Sequence, residues 1–197
     1  GAFALGVLLA RPMSGFITDE KGRKISLVSG VIIFAAAPLL YLVSTDFLYL
    51  IIIRFFHGLG LCFYTTAFPA YITDVSDESR RGEILGHMAT STTLAFTLGP
   101  LIGMTVFSSY GFKSLIFLCV ITGLLNLIVI LKISEIHKKT ESKLKIPYKK
   151  VVFQRSVLVP SFIQLIYAII FGGIMTFLPL LLKSIEGVNV GVFFMVE

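Results

Sequence analysis

The residues able to do chemistry gather in two places. In the polar stretch 15–24, Asp19 and Arg23 put opposite charges four residues apart, close enough to pair, and Gly22 between them allows the left-handed backbone that a two-helix reversal needs. Gly15, just upstream, removes a side chain where a neighbouring helix can come close. The second place is apolar: Arg54 and His57, with Gly58, share one face of a long hydrophobic run. A guanidinium in hydrocarbon costs about 2.5 to 3.5 kcal/mol on insertion scales, so Arg54 must face protein or a watery cavity, or else snorkel outward. His57 is either a titratable group or a hydrogen-bonded packing residue. The apolar runs contain no nucleophile, metal cluster or acid pair, and no phosphate loop is present. The expectation is therefore no enzyme, no metal and no cofactor.

The elements that position these residues follow from composition. The chain of 197 residues is 56% apolar, with a mean hydropathy of +0.92. A soluble domain could not cover that much apolar surface. A bilayer-crossing helix needs about 20 apolar residues, and the expected spans are 1–18, 25–44, 47–73, 84–107, 112–133 and 157–182, with a further one starting near Val190. Arg11, beside Pro12, can snorkel to the interface. Cys62 and Cys119 read as small buried hydrophobes. The formal net charge of +6 would suggest nucleic acid in a soluble chain, but here the basic residues gather in particular loops and nucleic acid is not implied. Loops 19–24, 74–83 and 134–156 are basic, whereas 44–46, 108–113 and 183–189 carry between them Lys113 and Lys183. The charge-rich loops are therefore cytoplasmic, and the chain reads as a fragment preceded by at least one helix.

The stretch Gly15, Asp19, Gly22, Arg23, Lys24 resembles the signature loop G-x-x-x-D-x-x-G-R-[KR] of the major facilitator superfamily, with Glu20 where a basic residue is common. Arg54, Gly58 and Gly60 resemble the fourth-helix motif R-x-x-x-G-x-G of proton-coupled members, with His57 where Gln is frequent. Ala95, Gly99, Pro100 and Gly103 resemble the fifth-helix motif G-x-x-x-G-P-x-x-G of exporters that exchange substrate for protons, with Ala95 in place of the first glycine. Ser91, Ala95, Gly99 and Gly103 form a stripe where another helix can pack, and Pro100 removes one helical hydrogen bond.

The resemblance implies an all-α integral membrane bundle of the twelve-helix type, present in part, with about six complete spans and the start of a seventh. Residues 1–133 would belong to the N-terminal half, 134–156 would form the cytoplasmic linker, and 157–197 would open the C-terminal half. It further implies a multi-pass transporter of the cell membrane whose partners are protons, the lipid bilayer and a small-molecule substrate. Proton-coupled export is the reading the fifth-helix motif favours; an uptake symporter and a membrane sensor or enzyme are the alternatives. Asp19, Arg23 and Asp74 would form a charge relay closing the cytoplasmic side, and Arg54 with His57 would serve proton coupling. Tyr64, Thr65, Asn126, Gln164, Tyr167, Phe171 and Met175 would line the central cavity.

Overall fold

A computed structural model describes residues 1–135 and 154–183, in two compact units divided between Lys139 and Thr140. The first unit holds α1 (Ala2–Glu20), α2 (Arg23–Leu40), α3 (Phe47–Val75), a 3-10 turn (Glu78–Arg80) and α4 (Arg81–Lys132). The second holds α5 (Arg155–Lys183). Arg23–Leu40, Phe47–Val75, Glu78–Lys132 and Arg155–Ile174 are each long and apolar enough to cross a bilayer. The basic segment at 136–153 and the expected span from Val190 lie outside the described residues.

Pro12 does not interrupt the first helix, because losing one amide donor is tolerated where the turns on either side stay bonded. The second helix ends at Leu40, short of the expected 44. Beyond Pro38 the amides of Tyr41, Leu42 and Val43 reach back only three residues, to Pro38, Leu39 and Leu40, tightening the end into 3-10 geometry. Asp46 then caps α3 by accepting the Tyr49 amide at 3.0 Å. At 52 residues α4 would be about 78 Å long if straight, more than twice a bilayer core. It is broken at Gly111 (φ 79°, ψ 179°) into arms 81–110 and 112–132, so the expected loop at 108–113 shrinks to a single residue.

α3 packs between α1 and α2, and small residues set the spacing. A β-carbon on Gly58 would collide with the Phe3 carbonyl of α1, and one on Gly6 with the Phe55 carbonyl of α3. Gly30 and Gly60 face each other likewise, their β-carbons falling 2.7 Å from the Tyr64 amide and 2.8 Å from the Phe34 amide. Backbone-to-backbone approach of this kind is how helices associate where lipid is as apolar as the side chains. Gly15 does not take part: nothing lies within 4 Å of its added β-carbon, since the face of α1 that packs inward is Gly6, Ala10, Ser14 and Thr18. Towards the charged loops, the second arm of α4 closes on α2 and α3 around Leu27, Val31, Ala67 and Ile130. Cys62 is buried as expected, whereas Cys119 on that arm is exposed.

Candidate functional site

Gly22, with φ 105°, turns the chain between α1 and α2 and leaves Arg23 as the first residue of α2. From there the guanidinium reaches three acceptors. Nε donates to Asp74 Oδ2 at 3.0 Å, and Nη1 donates to Asp19 Oδ1 at 2.5 Å and to the Thr18 carbonyl at 2.6 Å. The two carboxylates differ in setting: the Asp19 side chain is 65% exposed, against 18% for Asp74 and 14% for Arg23 itself. Burial alone would push the Arg23 guanidinium down, but the hydrogen bonds it donates to Asp19 and Asp74 outweigh it and hold it above the ordinary arginine range. One side chain thus joins the ends of α1, α2 and α3, and the structure brings Asp19, Arg23 and Asp74 together.

Lys24, one residue on and about 100° round the helix, reaches the other way. Its ammonium donates to the Leu131 and Ile133 carbonyls at 2.8 and 2.7 Å, occupying acceptors that the end of α4 leaves open. In return Glu135 Oε1 accepts the Lys24 amide at 3.3 Å, an anion at the N-terminus of α2. The dipeptide Arg23-Lys24 therefore ties four helix ends. Lys24→Met is expected to speed amide hydrogen exchange over 130–135 about tenfold, as a lost charged hydrogen bond of roughly 1.5 kcal/mol would, while leaving the Asp74 end of α3 unchanged. Equal exchange in wild type and variant would show that the lysine does not hold α4.

Two further charge pairs of this end lie towards solvent. Arg80 forks onto Glu83 at 2.9 and 3.0 Å, which holds the Glu83 carboxyl below its usual range, and Arg81 lies 3.4 Å from Glu78. Exposed pairs of this kind contribute little.

Arg54 and His57 meet through a residue that spacing did not point to. The Tyr41 hydroxyl lies 3.0 Å from His57 Nδ1, and the Arg54 guanidinium sits 5.5 Å above the Tyr41 ring. Arg54 is exposed; His57 is buried between the Phe3 and Phe34 rings, and its Nε2 finds no partner among the described residues. Tyr41 follows the last residue of α2, and what brings it to α3 is the early end of that helix after Pro38.

Among the described residues of this unit the small-residue stripe meets another helical segment at Gly103, against the second arm of α4. Nothing lies within 4 Å of a β-carbon on Gly99, and one on Gly103 meets the Leu115 side chain at 3.7 Å. Ser91, Ala95 and Gly99 instead line a cavity of about 1200 Å³, with Tyr64 and Thr65 of α3 opposite. Pro100, Gly103 and Asn126 are not part of that lining. Gln164, Tyr167 and Phe171 are exposed on α5, the last two with stacked rings 6.0 Å apart. The Met175 side chain lies outside the described residues.

Comparison with known proteins gives one consistent result. A family model described as the Major Facilitator Superfamily matches residues 1–196. An uncharacterized MFS-type transporter of Methanocaldococcus jannaschii is 31% identical over 151 residues, covering 77% of this chain and 39% of the relative. Multidrug resistance protein 1 of Bacillus subtilis is 27% identical over 153 residues, covering 78% of this chain and 39% of the relative. Quinolone resistance protein NorA of Staphylococcus aureus is 28% identical over 102 residues, 52% of this chain and 26% of the relative. The chain thus spans about two fifths of the length of the first two relatives.

Proposed function

The chain belongs to the major facilitator superfamily, and from that premise we propose that the full protein exports an amphiphilic small molecule across the cell membrane in exchange for protons. The family transports solutes, and the members named for multidrug and quinolone resistance support outward movement of drug-like molecules. The observation that carries the mechanism is the partly buried Arg23 bridge between carboxylates on two helices. A guanidinium holding Asp19 and Asp74 together closes the cytoplasmic ends of α1, α2 and α3 in one conformation. A difference of a few kcal/mol between inward-open and outward-open forms is enough for such a latch to set their populations. Arg54 and His57 supply the proton side of the cycle, with Tyr41 holding the pair in place.

Inverted membrane vesicles carrying the full-length protein test the reading. On energisation, addition of a transported drug should partly collapse the proton gradient, and drug uptake into the inverted vesicles should stop with an uncoupler. Uptake that ignores the gradient would remove proton coupling, and uptake only into right-side-out vesicles would reverse the direction. Arg54→Lys should lose proton-driven transport as fully as Arg54→Ala, about tenfold or more, because an ammonium cannot reproduce a planar guanidinium lying on the Tyr41 ring. Wild-type transport by the Lys variant would leave Arg54 as an interface anchor.

A further inference from the structure

An imidazole gains and loses protons at two ring nitrogens, and His57 holds one inside α3, a helix long and apolar enough to cross a bilayer. A proton must have a way to reach it, and the structure leaves one. The His57 side is closed by aromatic rings: Phe3 packs edge-on with centroids 5.5 Å apart, Phe34 lies at 4.4 Å, and the residue is only 9% exposed. Nε2 is shut off from solvent and has no hydrogen-bond partner among the described residues. Nδ1 has a partner, the Tyr41 hydroxyl at 3.0 Å.

Towards the charged loops the backbone seals the site. Gly58, next in sequence, lies where a β-carbon would collide with the Phe3 carbonyl, and a β-carbon on Gly60 would fall 2.8 Å from the Phe34 amide. The residues whose rings flank His57 thus also close the α1–α3 and α2–α3 seams, too tightly for a file of water to pass. In the other direction Tyr41 stands half-buried where α2 gives way to the turn 41–46, and Leu42, Val43, Thr45 and Asp46 beyond it are exposed. That turn joins the ends of α2 and α3 opposite to Arg23 and Asp74, so Tyr41 opens away from the charged loops. Burial raises the Tyr41 phenol above its ordinary range by more than the Arg54 charge lowers it, and the oxygen keeps its proton. A hydroxyl both donates and accepts, so the bond to Nδ1 can persist in either charge state of the ring.

We propose that the Tyr41 hydroxyl is the relay through which His57 exchanges protons with the solvent at the 41–46 turn. The proposal rests on the proton-coupled reading and gives that coupling a side. Inward, the O–H proton passes to Nδ1 of the neutral ring while the oxygen takes a proton from water, leaving an imidazolium; outward, Nδ1–H returns its proton to the oxygen as the hydroxyl releases one to water. The groups facing His57 are Phe3 from α1, Phe34 and Tyr41 from α2 and its end, and Arg54 one turn earlier on α3; of these Tyr41 and Arg54 can carry or change charge.

Full-length protein with 15N- and 13C-labelled histidine in lipid nanodiscs gives the rate at which the His57 imidazole exchanges protons with water, its signal identified by its loss in His57→Gln. Tyr41→Phe removes the hydroxyl and keeps the ring beneath Arg54. In that variant the exchange should slow at least about tenfold, as loss of a positioned proton-transfer group would, while the His57 ring-carbon shifts stay at wild-type positions. Gradient-driven ethidium transport in proteoliposomes should lose at least about tenfold in maximal rate, with the half-saturating concentration within about threefold of wild type. Tyr41→Phe combined with His57→Gln should be no slower than His57→Gln alone, since one path cannot be cut twice. Wild-type exchange in the Phe variant overturns the proposal, as does an additive double variant. Slow exchange with displaced ring shifts would make Tyr41 a packing prop and overturns it too. Slow exchange in the Phe variant beside a wild type that moves ethidium regardless of the gradient, or not at all, would sink the transport reading and leave the relay standing.

Discussion

Asp74→Asn is expected to leave the protein inserted and monodisperse yet slow transport at least tenfold, whereas Asp19→Asn should cost no more than about threefold. The ranking comes from exposure: both carboxylates accept from the same guanidinium, but Asp19 is 65% exposed and Asp74 only 18%. An exposed pair is worth about 0 to 1 kcal/mol, and a partly dry charge-assisted bond about 1.5 to 3 kcal/mol. Arg23→Ala removes both bonds, strands Asp74 without a cation and should be the most damaging of the three. Each change should also raise the reactivity of a cysteine placed in the cytoplasmic half of the cavity, in the order Arg23, Asp74, Asp19. Because the Arg23 guanidinium is raised above its ordinary value, its share of the stabilisation is fully present below that value and is lost only as pH rises through the still higher folded one. The Arg23 bridge accordingly keeps its cation at every physiological pH. Asp19→Asn as damaging as Asp74→Asn would mean that the less exposed arm of the bridge has no special weight.

Gly58→Leu should prevent a stable fold. A β-carbon there meets the Phe3 carbonyl, which is backbone and cannot rotate away, and Gly6 blocks the compensating slide from the other side of the seam. Forcing α1 and α3 apart would cost about 3 kcal/mol or more, at the upper end of overpacking penalties, and would also unseat His57, which neighbours Gly58 and packs edge-on to Phe3. Gly99→Leu is the control: the space over Gly99 is open within the unit, so that variant should insert and purify normally, and any lost export would be a loss of function. Fluorescence-detected size exclusion and melting in detergent read both outcomes. A monodisperse Gly58→Leu protein melting with the wild type would mean that the α1–α3 spacing is not set by glycine.

Some of this was legible in the chain. Hydropathy marks the helices because each must satisfy its own backbone in hydrocarbon, and Gly22 with the pair Asp19 and Arg23 is readable because it is local. Asp74 is 51 positions from Arg23, and its place in the bridge came through family likeness rather than geometry. What escaped depends on helix azimuth and depth. Gly15 looks like a packing glycine, but the inward face of α1 runs through Gly6, Ala10, Ser14 and Thr18. Arg11 gives no sign in the sequence of the bond that its guanidinium donates to Thr66, 55 positions away on α3. Tyr41 was hidden because its meeting with His57 follows from the way α2 ends after Pro38. Lys24 matches a pattern letter, yet its role at the end of α4 lies 107 positions away.

A chain that turns back on Gly111 alone leaves almost no slack between the two arms of α4. One residue spans at most about 3.6 Å, and the arms already touch across the break through Gly103 and Leu115. The two arms therefore pack as a hairpin, and neither can slide far along the other without straining that one residue.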